Sequence, residues 1–231
     1  MINFSDFEKK TKIIFKDKNL LKQAFIHRSY INENPAASLS HNERLEFLGD
    51  AVLELIVTDF LYKKYPSYAE GELTAVRSAL VNAVIISEIA ASIGMNDYLL
   101  LSKGESKDNG KARQFILANT YEAYVGALYL DQGYVVVSKF IAQSLLPKTD
   151  EIVKNKLWRD AKSLVQEKAQ EHAGVTPAYR VLSESGPDHD KHFTVGIFFG
   201  SIRIAEGKGK SKQEAEQKAA ETALKARNWT D

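Results

Sequence analysis

The stretch His41-Asn42-Glu43-Arg44-Leu45-Glu46-Phe47-Leu48-Gly49-Asp50-Ala51-Val52-Leu53-Glu54-Leu55-Ile56-Val57 decides how the chain is read. Most of it is apolar enough to form a buried helix, yet four carboxylates interrupt it. Glu43, Glu46, Asp50 and Glu54 fall at spacings of three, four and four, so they share one helical face. Burying one unpaired carboxylate costs roughly several kcal/mol after relaxation. The stripe therefore faces water, paired with Arg44 and nearby lysines, or it holds a cation.

Composition bounds the alternatives. The 231 residues fit one large domain or two ordinary ones, and the 44% hydrophobic and 26% charged fractions describe a globular protein. No cysteine is present, which excludes disulfides, thiolate nucleophiles and cysteine-based zinc sites. The start, Met1 to Lys10, lacks the apolar core of a signal peptide. Uncharged runs such as Ser78–Ser87 reach ten residues, against the ~20 of a membrane span. A cytoplasmic protein with no membrane partner is expected. Net charge is +1, and residues 1–157 and 158–231 are each close to balanced, so bulk charge points to no nucleic acid. Any electrostatic case rests on local clustering.

The first two thirds read as helices. Helical spacing covers Phe7–Lys12, Leu20–Ser29, the opening stretch as far as Lys64, Glu72–Ile93 as one helix, Phe115–Leu130 and Val135–Leu146. A change of character near residue 156 divides the chain into a helical domain, 1–156, and a small α+β domain, 157–231. In the second, Asp160–Glu171 reads as a helix, and Tyr179–Glu184, Phe193–Phe199 and Arg203–Glu206 read as strands. A helix starting at Ser211 follows, with an Ala215, Ala219, Ala223 stripe for packing on a sheet. The expected fold class is thus an all-α domain followed by an α-β-β-β-α module.

The run Gly207-Lys208-Gly209-Lys210-Ser211-Lys212-Gln213-Glu214 carries a capping box, Ser211 with Glu214, that starts this helix. Lysines surround its N-terminus, which makes an anion site suited to phosphate; a solubilising lysine loop reads equally well. Gly186-Pro187-Asp188-His189, then Phe193-Thr194-Val195, then the lysine run with its Ala-rich helix resemble a double-stranded RNA-binding domain over roughly residues 159–227. Such domains read A-form shape across two minor grooves and the phosphates between them. The resemblance implies that Ser163, Gln166 and Glu167 meet 2′-hydroxyls in one minor groove. It implies that His189 enters the next groove, and that Lys210, Ser211 and Lys212 hold phosphates.

Among the N-terminal carboxylates the helical register singles out a second helix. Glu122 follows Asn119 by three residues in Asn119-Thr120-Tyr121-Glu122-Ala123-Tyr124. Two helices projecting oxygen ligands at such spacings can build a hard-cation site, and Mg²⁺ with a few carboxylates suits phosphodiester chemistry. An ordinary solvated stripe is the alternative.

Asn42-Glu43-Arg44-Leu45-Glu46-Phe47-Leu48-Gly49-Asp50-Ala51-Val52-Leu53 resembles the hallmark stretch of ribonuclease III. Ala24-Phe25-Ile26-His27-Arg28-Ser29-Tyr30 and Glu70-Gly71-Glu72-Leu73-Thr74 resemble its other characteristic segments. With the RNA-binding module, the likeness spans nearly the whole chain. It implies a homodimeric endoribonuclease that cuts both strands of double-stranded RNA, leaving two-nucleotide 3′ overhangs, in rRNA and mRNA processing. Mg²⁺ would be the cofactor, with Mn²⁺ as a substitute and no small-molecule cofactor. It further implies that Glu46, Asp50 and Glu122 are catalytic metal-site acids, Glu43 and Glu70 supporting acids, and Phe47 an aromatic plug into a socket on the partner subunit. Glu54 has no role in this pattern, and His27 and Ser29 are expected to orient local backbone.

Asn119 departs from the pattern, which generally has Asp there. Asn keeps an oxygen that can ligate a metal or its water, and removes one negative charge. Three readings stand side by side: a natural variant that still cleaves, a double-stranded RNA-binding protein with weak or absent cleavage, and an engineered substitution.

Overall fold

The computed structural model describes residues 2–35, 40–107, 110–156, 158, 160–187 and 190–229. The chain divides into two compact units, Met1–Trp158 and Arg159–Asp231. The first is built from helices: α1 (Phe4–Thr11), α2 (Lys18–Ala24), α3 (Arg28–Glu33), α4 (Glu43–Lys64), α5 (Glu70–Leu80), α6 (Ala83–Ser92), α7 (Lys111–Gln132), α8 (Tyr134–Ser144) and α9 (Lys148–Lys154). Among the described residues, no single helix is long and apolar enough to cross a membrane.

α7 is apolar almost all round and runs through the core, with Leu117, Tyr121, Tyr124, Val125 and Leu128 buried. A helix of this composition is stable only when other elements cover every face. α4 lies against it through Leu45, Gly49, Val52, Leu53 and Ile56. Glycines set the distance between the two. A Cβ on Gly49 would overlap the Glu122 carbonyl oxygen and come within 2.8 Å of the Gly126 nitrogen. One on Gly126 would overlap the Leu45 carbonyl oxygen and come within 3.0 Å of the Gly49 nitrogen. Backbone therefore meets backbone where α4 crosses α7.

Two expected helices are each split in the structure. The span Glu72–Ile93 becomes α5 and α6, bent by 45°. Asn82 makes the break: its side chain accepts from the Ile85 N–H at 3.0 Å and donates to the Ala79 carbonyl at 2.8 Å, capping α6 while closing α5. The span Leu20–Ser29 becomes α2 and α3. Between them Ile26 forms an isolated bridge with Leu100, and the His27 ring caps α3 by accepting from the Ser29 N–H. Ser29 Oγ in turn accepts from the Ser102 N–H at 3.1 Å, so both residues orient backbone as expected. Asn42, at the head of α4, uses its side chain on the Ala24 carbonyl at 3.1 Å, which ties the start of α4 to the end of α2.

The second unit is α10 (Ala161–Ala173), β1 (Pro177–Ser185), β2 (His192–Phe199), β3 (Ile202–Gly209) and α11 (Lys212–Ala226), with an antiparallel sheet in the order β1-β2-β3. Its core joins Val165 and Ala169 of α10, Ile197 and Phe199 of β2, and Ala219, Ala220 and Ala223 of α11. β3 runs three residues further than its apolar pattern indicates, through Gly207-Lys208-Gly209. A Cβ on Gly207 would overlap the backbone of Ala215 and Ala219, so the missing side chain lets the strand lie directly on α11. Period-two alternation then turns Lys208 and Lys210 to solvent.

Gly49→Ala and Gly126→Ala should each destabilise the first unit by about 1–3 kcal/mol or more, as overpacking does, seen as a lower melting temperature. Gly71→Ala, where an added Cβ meets nothing within 4 Å, should leave the melting temperature unchanged or slightly raised.

Candidate metal centre and nucleic-acid interface

The crossing of α4 and α7 assembles the acids. Glu46 and Asp50 lie one turn apart on α4, on either side of Gly49, and Glu122 lies one turn before Gly126 on α7. Glu46, Asn119 and Glu122 are half-buried, and Asp50 is exposed. Burial first, then the charges of Asp50, Glu46 and Glu54, push the Glu122 carboxyl from the ordinary 4.5 up to about 7. Glu46 is also raised, by burial and then by Glu43 and Asp50. Neither Glu46, Asp50 nor Glu122 forms a hydrogen bond or ion pair through its side chain among the described residues. Negative charge is thus concentrated at one place without a protein cation to balance it.

The other sequence-derived residues separate into those near this centre and those apart from it. Glu43 is exposed and pairs with Arg28 at 3.6 Å and His41 at 3.8 Å, not with its neighbour Arg44. Its charge still acts on Glu46. Glu70, at the start of α5, accepts from the Thr74 hydroxyl at 3.0 Å and is not among the charges that raise Glu46 or Glu122. Within one chain it is not part of the cluster. Phe47 is 83% exposed, an unusual position for a large apolar ring. Glu54, which carries no role in the sequence pattern, is exposed and contributes to the field on Glu122. Its register on the acid face, four residues after Asp50, was the available signal.

An oxygen-only donor set with surplus negative charge fits a hard divalent cation such as Mg²⁺. Among the described residues, no group of three or more His, Cys, Asp or Glu side chains stands in metal-holding geometry. The fit therefore rests on donor chemistry and uncompensated charge. Asn119 supplies an amide oxygen one turn before Glu122 and no charge.

In the second unit Ser163, Gln166 and Glu167 are exposed on α10, at spacings that put them on one face. The Ser163 hydroxyl donates to Asp160 Oδ2 at 2.8 Å, within the helix cap. His189 lies outside the described residues. Ser211 Oγ accepts from the Glu214 N–H at 3.1 Å, as a capping box requires, but the Glu214 carboxylate accepts from the Lys210 N–H at 2.8 Å instead of from Ser211. Lys210 and Lys212 are exposed, and their ammonium groups meet Asp190 at 3.4 Å and Glu184 at 3.2 Å. Exposed pairs of this kind contribute about 0–1 kcal/mol, so a phosphate can displace them at little cost.

The chain is similar to known proteins along most of its length. The ribonuclease-III-like family matches residues 17–149, and the double-stranded RNA binding motif matches residues 161–226. Ribonuclease 3 of Borreliella afzelii is 45% identical over 223 residues, covering 96% of this chain and 90% of that one. Ribonuclease 3 of Enterococcus faecalis is 44% identical, covering 96% of each. Among solved structures, the nuclease domain of ribonuclease III from Campylobacter jejuni, described for flexibility in a region involved in dimer formation, superimposes with a TM-score of 0.57 at 37% identity. It covers 63% of this chain and 99% of that one.

The raised Glu122 carboxyl has a consequence for stability. Between about 4.5 and 7 the folded chain keeps a proton that the unfolded chain releases. Stability from this group is therefore full below the window and falls as pH rises through it. Glu122→Gln should flatten that fall and raise the melting temperature above the window, by about 2–4 °C for each kcal/mol of repulsion relieved. Thermal unfolding across the pH range, with a chelator present, checks it.

Proposed function

The chain belongs to the ribonuclease III family, and on that premise we propose that it is a Mg²⁺-dependent, homodimeric endoribonuclease that cleaves both strands of double-stranded RNA during rRNA and mRNA processing in the cytoplasm. The observation that carries the reading is the unneutralised carboxylate cluster where α4 crosses α7, in a chain that also carries a double-stranded RNA binding motif. Glu46, Asp50 and Glu122 hold the ion, with Asn119 as a neutral oxygen donor. Once bound, a divalent cation polarises the phosphodiester, activates water and stabilises the leaving 3′ oxygen. The protein's own part is to keep three carboxylates and an amide on two rigid helices, so that no loop has to order before reaction. Cation loading needs deprotonated carboxylates, and the high Glu122 value makes loading weaken as pH falls below about 7.

Assembly follows from the exposed ring. Phe47 stands at the rim of a groove of ≈ 910 Å³ with Leu20, Leu48 and Leu130 in its walls. Plug and socket on the same face suit an isologous two-fold dimer, in which each chain offers both. Two sites related by that axis, one per strand, account for staggered cuts with two-nucleotide 3′ overhangs. Glu43 and Glu70 serve as supporting acids facing the substrate. Ser163, Gln166 and Glu167 meet one minor groove, His189 meets the next, and Lys210, Ser211 and Lys212 hold the phosphates between.

Asn119 supports a second reading, a double-stranded RNA-binding protein that cuts weakly or not at all, because one charge of the usual set is missing. Incubation with a long RNA duplex and Mg²⁺ or Mn²⁺ should give sized fragments with two-nucleotide 3′ overhangs; intact RNA at high protein concentration would sink the endonuclease reading. If Asn119→Asp converts an inert protein into a nuclease, the second reading holds. Replacing Lys210 and Lys212 by alanine should weaken binding to all duplexes alike, and reduce the salt slope by about one for each phosphate that is no longer neutralised.

A further inference from the structure

α4 carries five acids, and among the described residues the middle three lack a partner. Glu43 pairs with Arg28 and His41, and Asp59 pairs with Lys63 at 2.7 Å. Glu46, Asp50 and Glu54 form no hydrogen bond or ion pair through their side chains. The two helices of the crossing supply no cation there: α4 has no basic residue between Arg44 and Lys63, and α7 has none after Arg113. Arg77, which reaches α4 from α5, donates to Thr58, one turn beyond Glu54. Like charges at i and i+4 of a helix are destabilising, so a third unpaired acid on this face opposes folding.

The register of the crossing decides what Glu54 lies beside. A Cβ on Gly126 would overlap Leu45, and one on Gly49 would overlap Glu122. Four residues forward on α4 thus correspond to four back on α7, and the helices run antiparallel. The next turn in that series brings Leu53 level with Ala118, both buried in the same core cluster. Glu54 and Asn119 are the residues that follow them, one polar side chain from each helix at the same level. Asn119 is half-buried and uncharged, and Glu54 is exposed. Glu54 lies about 6 Å of helical rise from Asp50, inside the screening length of about 8 Å at physiological salt. Its charge reaches Glu122 across the crossing, behind burial, Asp50 and Glu46 among the causes that raise that carboxyl.

We propose that Glu54 supplies from α4 the negative charge that Asn119 does not supply from α7, so that the cation centre keeps four carboxylates, Glu46, Asp50, Glu54 and Glu122. Glu54 is a positioning residue. Its charge attracts and retains the divalent ion, while Glu46, Asp50, Glu122 and the Asn119 amide are the groups proposed to touch it. Affinity for a hard cation depends on how many charged oxygens surround the site, and groups outside the ligand set contribute to it as well. This rests on the metal-centre reading given above.

The test is equilibrium binding of Mn²⁺ to the full chain without RNA, followed by the electron paramagnetic resonance of the free ion. Glu54→Gln should weaken Mn²⁺ binding about 10- to 100-fold, as loss of a group outside the ligand set does. Asn119→Asp added to Glu54→Gln should restore the affinity, because the missing charge is then supplied by the other helix. The deficit of Glu54→Gln should narrow as KCl is raised, since an exposed charge is screened. Asp59→Asn, which removes an α4 acid already paired with Lys63, should bind Mn²⁺ as the wild type does. With a chelator present, Glu54→Gln should melt no lower than the wild type, because only repulsion is removed; a lower melting temperature assigns Glu54 a structural role and overturns the inference. Unchanged Mn²⁺ affinity in Glu54→Gln overturns it too. So does a weakened affinity that Asn119→Asp leaves unrestored, or an equal loss in Asp59→Asn. A wild-type chain that binds no Mn²⁺ overturns the metal-centre reading itself, and is recognised before any variant is made.

Discussion

The contact on which the rest depends is the backbone approach of α4 to α7 at Gly49 and Gly126. Helices packed through larger side chains stand 8–10 Å apart, and at that separation carboxylates on the two would be more widely spaced. Removing both Cβ atoms at the crossing brings Glu46 and Asp50 of one helix into the field of Glu122 on the other. Of the two raised carboxyls, only Glu122 feels charge from across the crossing: burial raises it first, and Asp50, Glu46 and Glu54 of α4 add to the rise. The hydrophobic core does the holding: Leu45, Val52, Leu53 and Ile56 on α4 meet Leu117, Tyr121, Tyr124 and Val125 on α7 in one cluster. Burial of those side chains, each contributing roughly 1.5–3 kcal/mol, offsets the repulsion among the acids.

The second unit uses the same device for the opposite charge. Gly207 and Gly209 let β3 rest on the alanines of α11, and strand alternation sends Lys208 and Lys210 outward. The ammonium groups of Lys210 and Lys212 meet exposed acids in weak pairs, and that of Lys212 also lies over the Phe193 ring. One unit therefore concentrates negative charge, and the other presents positive charge. The near-zero net charge conceals both.

Much of the architecture was legible in the sequence. The opening helix ends at Lys64 as its pattern indicates, and the alanine stripe of α11 is buried at Ala215, Ala219 and Ala223. The breaks were not legible. Asn82 lies in a continuous helical pattern, and only its two hydrogen bonds, to Ala79 and Ile85, reveal that it closes one helix and opens another. The bridge between Ile26 and Leu100 joins segments far apart in the chain, so no local period could announce it. The end of β3 was missed because glycine and lysine carry no strand signal, although the missing Cβ atoms are what make that strand fit.

For the acids, the sequence by itself determined which ones share a face: a spacing of three and four residues places Glu43, Glu46, Asp50 and Glu54 together on any α-helix. It also determined that Glu122 and Asn119 lie one turn apart. Tertiary structure decided the rest. It placed the second pair against the first, paired Glu43 with Arg28 and left Arg44 aside, and kept Glu70 out of the cluster. Helical periodicity is a local property of the backbone and can be read from one segment. The charge a carboxylate or guanidinium feels depends on groups dozens of residues away, and only the packed chain brings them within reach.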